Sequence, residues 1–367
     1  MPKRLLIYGA GAIGRGFLPW VFPPSDYEYN YVEKNERLCH LLNDRRQFTS
    51  FRVVRNDYEE CVVPIRQCYA PGGEQEAIAR ADAIIMAVGP RNASSLIEHL
   101  RGSITPIICC ENDASIPEMI RAATGNPNVV FAIPDVITSN TAPEGLLARD
   151  PLSIVTEDGV CYIDERVSHV GGLGSYVPRM ELEKQWLAKL YLHNTPHCIA
   201  AYLGSMLSLT YVHEALKNPR VSEIVAGAMG EMKHVLRCRF SLEPAFVDWY
   251  ADKELQRFRN TLLYDPIDRV AREPFRKLAP NERLIGAAQL CICCGIVPEK
   301  IMLGIMTAFC YDNPRDPDAN IRYLMRALQP PEFLIVAMQL RSGEALYELL
   351  LDRWDANLNL LQEISDG

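Results

Sequence analysis

The sequence predicts an α/β protein in which a doubly wound parallel sheet in the first half of the chain is followed by a mainly α-helical domain. Short, nearly all-apolar strand segments alternate with helical segments up to about residue 133, which is typical of parallel strands covered by helices on both faces. Two further strand segments lie between 153 and 170, a glycine cluster follows at 171–174, and helical periodicity dominates beyond it. We therefore expect domains at 1–178 and 179–367.

The first two strands and the turn between them indicate a dinucleotide site. The strand Lys3–Tyr8 runs into the sequence GAGAIG, which opens a helical segment. Its three glycines supply a tight bend, a close backbone approach to a pyrophosphate and helix-to-strand packing. The second strand, Tyr27–Val32, ends at Glu33, roughly 20 residues after the glycines. A carboxylate there accepts both ribose hydroxyls and repels a 2′-phosphate. The pattern thus predicts a Rossmann-type, NAD-binding domain, while Lys34 and Arg37 keep NADP as an alternative.

The later elements of the first half follow in order. We expect helices over 35–46, 74–81 and 92–101, a hairpin over 51–65, and strands over 83–88, 106–110 and 129–133. The carboxyl ends of such strands form the edge where ligands bind, and Asn112 and Asp135 lie there, although each is also explained as a turn or capping residue. The predicted cofactor-binding residues are Gly9, Gly11, Ala12, Ile13, Gly14, Glu33, Val88, Gly89 and Asn112.

Composition indicates a globular protein, and the lack of a targeting signal makes the cytoplasm its expected location. The 367 residues are 48% hydrophobic and 23% charged, and the net charge of −8 argues against a nucleic-acid partner. No export signal precedes the first strand, and the apolar stretch Cys198–Val212 is interrupted by polar residues, so we read it as a buried helix rather than a membrane span. The 12 cysteines are expected to be free thiols. Cys291 and Cys294 have the spacing of half a zinc site, but their apolar helical surroundings favour buried thiols over a metal.

A short segment in the middle of the chain brings together an amine, an amide and an imidazole, on Lys189, Asn194 and His197. The local sequence predicts that one helix ends here and another begins, with Asn194 or Thr195 as its cap and Pro196 in its first turn. His197 would then lie near a positive helix end, which favours a neutral ring. The alternative is that the lysine is solvated and that the other two are capping groups.

A second polar segment, between 257 and 284, is rich in basic residues. They are Arg269, Arg272, Arg276, Lys277 and Arg283, and their acidic neighbours are Asp265, Asp268, Glu273 and Glu282. These charges either form a solvated surface, or Arg269 and Lys277 converge on the hydroxyls of a substrate and a further basic residue binds an anionic group such as a phosphate.

The chain resembles the polyol-specific long-chain dehydrogenases, also called the mannitol dehydrogenase family, and within it the enzymes that act on mannitol 1-phosphate. The matching motifs are GAGAIGRGF from Gly9, AVGP from Ala87, CEN from Cys110, KLYLHNTPHCIAAYLG from Lys189, and RFRN, RV, RKL and RLI from Arg257 onward. The resemblance implies a metal-free, monomeric enzyme that transfers a hydride between mannitol 1-phosphate and fructose 6-phosphate with NAD.

By the same resemblance, Lys189 is the general acid/base, and Asn194 and His197 hold and polarise the reacting oxygen. The substrate site would also include Asn112, Asp135, Arg269 and Lys277. The chain departs from the family where Val136 replaces an arginine, Pro196 replaces a glycine, and Glu33 stands where many relatives have aspartate. Two alternatives therefore stay open: a dehydrogenase of another free or phosphorylated polyol or sugar acid, and a dinucleotide-binding sensor without catalysis.

Overall fold

A computed structural model describes residues 1–139, 141–316 and 318–366. The chain forms two compact units. The first contains residues 1–186 together with 262–264, and the second contains 187–261 together with 265–367. The division after residue 186 lies inside a helix, whereas the sequence suggested a boundary at 178.

The first unit is built on a sheet of ten strands among the described residues. They are β1 (Lys3–Tyr8), β2 (Tyr27–Val32), β3 (Gln47–Val54), β4 (Asp57–Tyr69), β5 (Ala83–Met86), β6 (Ile107–Cys109), β7 (Val129–Asp135), β8 (Ile154–Glu157), β9 (Val160–Asp164) and β10 (Ser175–Val177). The order β4-β2-β1-β5-β6-β7 forms a parallel centre. The predicted hairpin is β3 with β4, β8 joins β3, and β9 with β10 extends the other edge. The predicted doubly wound α/β fold is thereby confirmed.

Alternation along β1 explains why helices cover both faces of the sheet. Successive side chains of a strand point to opposite faces. Leu5 and Ile7 belong to one buried apolar cluster, and Leu6 and Tyr8 belong to another. All four are at most 1% exposed, so β1 is the middle of a two-sided core. The strand order reverses between β1 and β5, and in this class of sheet the crevice at that point is where dinucleotides bind.

Helices of the first half connect these strands. They are α1 (Leu18–Val21), α2 (Glu36–Arg45), α3 (Gln75–Arg80), α4 (Pro90–Ala93), α5 (Ile97–Leu100), α6 (Ile116–Thr124), α7 (Glu144–Arg149) and α8 (Arg179–Ala188). The single helix expected over 92–101 is instead α4, a 3₁₀ turn (Ser94–Leu96) and α5. A π-helical segment, Ala12–Phe17, precedes α1, a second, Lys189–Asn194, follows α8, and Glu165–Val170 is a 3₁₀ segment.

The described residues of the second half form helices joined by loops, as predicted. Its helices are α9 (Thr195–Met206), α10 (Val212–Ala215), α11 (Pro219–Phe240), α12 (Pro244–Phe258), α13 (Ile267–Ala271), α14 (Pro274–Lys277), α15 (Ile285–Cys293), α16 (Glu299–Phe309), α17 (Ile321–Ala327), α18 (Pro330–Val336), α19 (Ala345–Asp352) and α20 (Trp354–Asp366). α9 is the buried helix expected from the apolar stretch. It ends at Met206 rather than Val212, and Ser208 just beyond has a φ of +57°. Among the described residues, no helix is both long and apolar enough to cross a membrane.

Candidate active site

The segment Lys189–Asn194 is a π-helical turn that joins α8 and α9 into one continuous helix. The expectation of a helix break with a cap at Asn194 was wrong, because Asn194 has helical dihedrals (φ −64°, ψ −37°) and its side chain caps nothing. The backbone N–H of Thr195 donates to the carbonyl of Leu190, five residues back. Pro196 has no N–H to donate, so an α-helical pattern cannot continue unbroken through it, and a wider turn is accommodated instead.

The π turn places the three predicted catalytic residues on one side of the helix. Each residue of an α-helix advances by about 100°, so residues eight positions apart, such as Lys189 and His197, would lie about 80° apart. The π turn contains about one residue more than an α-helical turn, which reduces the angle between Lys189 and His197 around the helix axis to about 20°. The angle between Lys189 and Asn194 becomes about 40°. Because no helix begins here, the helix-end argument for a neutral His197 no longer applies.

His197 is held by a carboxylate that the sequence analysis treated only as a neutralising neighbour. Its Nε2 atom lies 2.7 Å from Oδ2 of Asp265, and both side chains are buried. The other carboxylate oxygen of Asp265 accepts hydrogen bonds from Arg269, one of them from Nε at 3.1 Å. Burial alone would raise the pKa of Asp265, but Arg269 and His197 outweigh it and hold the pKa well below its usual value. Asp265 thus stays ionised and bridges the buried His197 ring to the partly buried Arg269.

A second histidine, His193, was missed by the sequence analysis. Its Nδ1 lies 2.5 Å from Oε2 of Glu254, which is fully buried and is also paired with Arg257. The rings of His193 and His197 are 4.9 Å apart, and Phe258 stacks flat on His197 at 4.8 Å. The i, i+4 spacing of the two histidines, together with the RFRN motif that contains Arg257 and Phe258, was the available signal. These contacts fix the plane of the His197 ring.

The basic cluster is only partly buried: Lys277 and Arg283 are buried, Arg269 and Arg276 are half-buried, and Arg272 is exposed. Lys277 is 3% exposed, and its Nζ donates to the carbonyl of Val270 at 2.5 Å and to that of Arg272. Burial, reinforced by the positive charges of Arg283 and Arg276, lowers the pKa of Lys277 well below its usual value. Lys277 therefore binds its own backbone in this structure, and its nitrogen keeps a third proton in the charged form or a lone pair in the neutral form for a further partner.

Three side chains near the π turn carry buried nitrogens that make no hydrogen bond within the described part of the chain. They are Nδ2 of Asn194, Nη2 of Arg283 and Nη1 of Arg276, the last with only a 3.5 Å ion pair to Glu282. The Thr195 hydroxyl donates to the backbone carbonyl of Arg283 at 2.7 Å, which holds Arg283 beside the turn. Buried donors are almost always satisfied in proteins, so this set is suited to an oxygen-rich ligand.

The first unit contains the residues predicted for the cofactor. Gly9 has a φ of +95°, and a Cβ there would lie 2.4 Å from the carbonyl oxygen of Ala87. A Cβ on Gly14 would lie 2.0 Å from the Gly9 carbonyl oxygen, whereas nothing lies within 4 Å of one on Gly11. The backbone therefore closes tightly at two glycines and leaves open space at the third. Ala12 and Ile13 begin the helical segment, whose first N–H groups have no helical acceptor.

The remaining predicted residues lie at the carboxyl edge of the sheet. Glu33 accepts hydrogen bonds from the backbone N–H groups of Ala10 and Asn35, each at 2.9 Å. Asn112 is exposed after β6, and Asp135 is buried at the end of β7. The neighbouring departure, Val136, is 7% exposed, and its Cβ would be 2.7 Å from a Cβ on Gly159, so it is a packing residue.

No group of three or more metal-ligating side chains occurs in the ranges that the structure describes. The cysteine cluster at the end of α15 is only partly buried, contrary to expectation: Cys291 is buried, Cys294 is half-buried and Cys293 is exposed. All three are free thiols.

Comparison with known proteins gives matches over both units. The family model of the mannitol dehydrogenase Rossmann domain matches residues 3–130, and that of the mannitol dehydrogenase C-terminal domain matches residues 181–329. A mannitol-1-phosphate 5-dehydrogenase of Thermoanaerobacter pseudethanolicus is 30% identical over 85% of this chain and 87% of its own length. One from an Exiguobacterium species is 29% identical over 95% and 96%. The solved ternary complex of Pseudomonas fluorescens mannitol 2-dehydrogenase with NAD and D-mannitol shares the fold, with a TM-score of 0.78, 13% identity, and coverage of 100% of this chain and 93% of that one.

Proposed function

This chain belongs to the mannitol dehydrogenase family, and on that premise we propose that it is an NAD-dependent dehydrogenase that interconverts mannitol 1-phosphate and fructose 6-phosphate without a metal. The observation that carries the proposal is the π turn, which brings Lys189, Asn194 and the carboxylate-bound His197 to one side of a buried helix. An amine, an amide donor and an oriented imidazole are what proton transfer at an alcohol oxygen requires.

Each of the three side chains has a distinct role in the proposed reaction. In the oxidising direction, the neutral amine of Lys189 takes the proton of the substrate hydroxyl while the hydrogen on the same carbon departs as a hydride. Nδ2 of Asn194, which has no hydrogen-bond partner among the described residues, donates to the reacting oxygen. Because Nε2 of His197 is bound to Asp265, Nδ1 is the ring nitrogen that faces that oxygen. In reduction the Asn194 amide stabilises the negative charge that develops on the carbonyl oxygen, and Nδ1 of His197 accepts the hydrogen bond of the hydroxyl as it forms.

The first unit would hold the cofactor. The open space at Gly11, beside the tight backbone at Gly9 and Gly14, suits a pyrophosphate, with N–H groups from Ala12 and Ile13. Glu33 would bind the ribose, because a carboxylate that already accepts two backbone N–H groups still has lone pairs for hydroxyls. Further contacts would come from Val88, Gly89 and Asn112. When bound, NAD supplies the acceptor for the hydride.

The preference for a phosphorylated substrate is proposed from the buried arginines. Arg276 and Arg283 each carry a buried guanidinium nitrogen without a hydrogen bond in the described chain, and a phosphate oxygen would satisfy both. Asp135, buried at the end of β7, is proposed as a further substrate-binding residue. Arg269 and Lys277 would reach substrate hydroxyls with the donors that Asp265 and the two backbone carbonyls leave over. We also propose that the enzyme is a monomer of the cytoplasm, and light scattering on the purified chain tests the oligomeric state.

The test is the rate of NADH oxidation with fructose 6-phosphate, measured beside fructose, other ketoses and keto acids, with Lys189→Ala as the control. We expect turnover on fructose 6-phosphate that the variant lacks. Turnover confined to another sugar or keto acid would replace the substrate in the proposal. Binding of NADH without turnover on any compound of the panel would support a dinucleotide sensor instead.

A further inference from the structure

Glu111, at the carboxyl end of β6, is a buried carboxylate that the proposed mechanism does not use. It is 4% exposed, and its Oε1 accepts the backbone N–H of Val88 at 2.8 Å. The N–H of Gly89 is also hydrogen-bonded to this carboxylate. Both donors belong to the segment Ala87–Pro90, here called the AVGP turn, which follows β5. The side chain of Glu111 thus connects the end of β6 to the turn that follows the neighbouring strand β5.

Burying the charged form of Glu111 costs free energy, because the carboxylate loses its hydration. Burial raises the pKa of Glu111 to about 7, despite the two backbone hydrogen bonds that favour the charged form. A glutamine of nearly the same volume would avoid that cost, but its amide offers one acceptor oxygen instead of two and adds two donors. Two convergent N–H groups are better served by the carboxylate. The location of the AVGP turn gives a reason for holding it firmly.

The AVGP turn lies directly against the glycine loop, Gly9–Gly14. The N–H of Ala87 donates to the carbonyl of Tyr8 at 2.9 Å, and a Cβ on Gly9 would lie 2.4 Å from the Ala87 carbonyl oxygen. From the other side, Glu33 binds the N–H of Ala10. The strands β6, β5, β1 and β2 are neighbours in the sheet, and hydrogen bonds connect the carboxyl end of each to that of the next. Glu111 makes the connection at the β6 side, and Glu33 makes it at the β2 side. The middle of the series is the β1–β5 crevice, where dinucleotides bind in such sheets.

We propose that Glu111 is a positioning residue for the cofactor, whose carboxylate fixes the AVGP turn against the glycine loop so that the crevice is preformed for a dinucleotide. The inference rests on the proposed function only in taking NAD(H) as the ligand. It predicts an effect on cofactor affinity, because Glu111 acts through the backbone of the turn and does not touch the reacting atoms. Preorganisation of a binding site raises affinity by removing the cost of ordering it on binding.

The chain offers a matched control in Glu231. Its two carboxylate oxygens accept the backbone N–H groups of Lys300 and Ile301, at 2.7 and 3.0 Å, and burial raises its pKa as well. Glu231 lies in the second unit, on α11, where it holds the start of α16. Glu231→Gln therefore removes the same kind of interaction without changing the crevice.

The experiment is a fluorescence titration of the full-length chain with NADH, combined with urea unfolding of each protein. We expect Glu111→Gln to raise the Kd for NADH about tenfold, the equivalent of one or two lost hydrogen bonds, and to raise the KM for NADH while kcat at saturating NADH stays unchanged. Glu231→Gln should lose a similar amount of stability with an unchanged Kd. A second variant, Asn92→Ala, removes the side chain that donates to the Val88 carbonyl at 2.8 Å and should raise the Kd about threefold.

The outcomes separate this inference from the proposed function. An unchanged Kd in both Glu111→Gln and Asn92→Ala, or an equal loss of affinity in Glu231→Gln, would overturn the positioning role and leave the proposed function standing. A wild-type chain that binds no NADH would overturn both.

Discussion

At the scale of single residues, Asp265 determines which nitrogen of the His197 ring is engaged by the protein itself. Its carboxylate binds Nε2, which leaves Nδ1 as the nitrogen that the proposed mechanism assigns to the reacting oxygen, and Phe258 stacks flat on the ring. A sequence shows which residue types are present but not which ring nitrogen is engaged. That is why Asp265 could be noticed in the sequence only as one of several acidic neighbours.

Asp265→Asn should therefore lower turnover strongly. The amide can donate to Nε2 or accept from it, so the ring is no longer held in one tautomer, and we expect kcat to fall by about 100-fold or more. The measurement is kcat for fructose 6-phosphate at saturating NADH. Asp268→Asn is the control, because Asp268 lies three residues further on, is half-exposed and pairs with Arg315 outside the site. Equal rates in the two variants would contradict the role given to Asp265.

Glu111 also predicts a pH dependence of stability. Burial raises its pKa from 4.5 to about 7, so the folded protein binds a proton that the unfolded chain releases between these values. The resulting stabilisation is fully present below pH 4.5 and is lost as the pH rises through about 7. At about 1.4 kcal/mol per pKa unit, the change is on the order of 3 kcal/mol.

Urea unfolding of wild type and Glu111→Gln between about pH 5 and about pH 8 measures this effect. Glutamine does not titrate, so the variant serves as the reference. The free energy of unfolding of wild type, relative to the variant, should decrease across the range and level off above about pH 8, where Glu111 is ionised in both the folded and the unfolded chain. A constant difference between the two proteins would show that Glu111 does not titrate in this window.

At the scale of elements, the strands were predicted well and the central helix was not. β1 and β2 have the predicted bounds, because an apolar run that ends at a glycine turn or a charged residue has few alternatives. The π turn has no such pattern. Asn194, Thr195 and Pro196 are residues that favour the start of a helix. The chain instead continues through a wide turn with a hydrogen bond from Thr195 to Leu190, and this turn depends on packing around the buried helix.

Thr195 ties this turn to the loop before α15, and Thr195→Val tests that connection. Its hydroxyl lies within hydrogen-bond distance of two carbonyl oxygens, those of Leu190 at 3.2 Å and Arg283 at 2.7 Å. Valine has the same shape without the donor, so we expect a loss of about 1–3 kcal/mol in the free energy of unfolding together with a lower kcat, because both Asn194 and Arg283 lose a support.

Thr307→Val is the matched control for this prediction. Thr307 is equally buried, and its hydroxyl donates to the carbonyl of Leu303 within α16. Its replacement should reduce stability without changing kcat. Thr195→Ser should recover most of the loss, since it restores the donor. A Thr195→Val enzyme with normal kcat would mean that the π turn keeps its shape without the hydroxyl.

At the scale of the whole molecule, the chain passes between its two units more than once. Leu262–Tyr264 belongs to the first unit, while Asp265 belongs to the second. Tyr58 of β4 donates to the carbonyl of Leu262 at 2.9 Å, and Ser139 donates to that of Tyr264 at 2.7 Å. The sequence predicted a single domain boundary, because neither periodicity nor composition changes at residues 262–264, the three residues that belong to the first unit.

The hydrogen bond from Ser139 to the carbonyl of Tyr264 also affects Asp265, the next residue in the chain. Tyr264 has a φ of +48°, a left-handed conformation that costs a non-glycine residue about 1–2 kcal/mol, and the Ser139 hydroxyl binds its carbonyl one peptide bond before Asp265. Without that bond the backbone can relax, and the carboxylate that orients His197 relaxes with it. We therefore expect Ser139→Ala to lower kcat by about three- to tenfold while the Kd for NADH stays unchanged.

The comparison is with Ser153→Ala, which removes a similar hydrogen bond, from Ser153 to the carbonyl of Leu146 at 3.2 Å, elsewhere in the first unit. Tyr58→Phe should act like Ser139→Ala, since burial raises the pKa of Tyr58 to about 12 and the phenol is a donor at working pH. If kcat fell equally in all three variants, the effect would be a general loss of stability. If it fell only in Ser139→Ala and Tyr58→Phe, the backbone of 262–264 would be what positions Asp265, and with it the His197 ring of the proposed site.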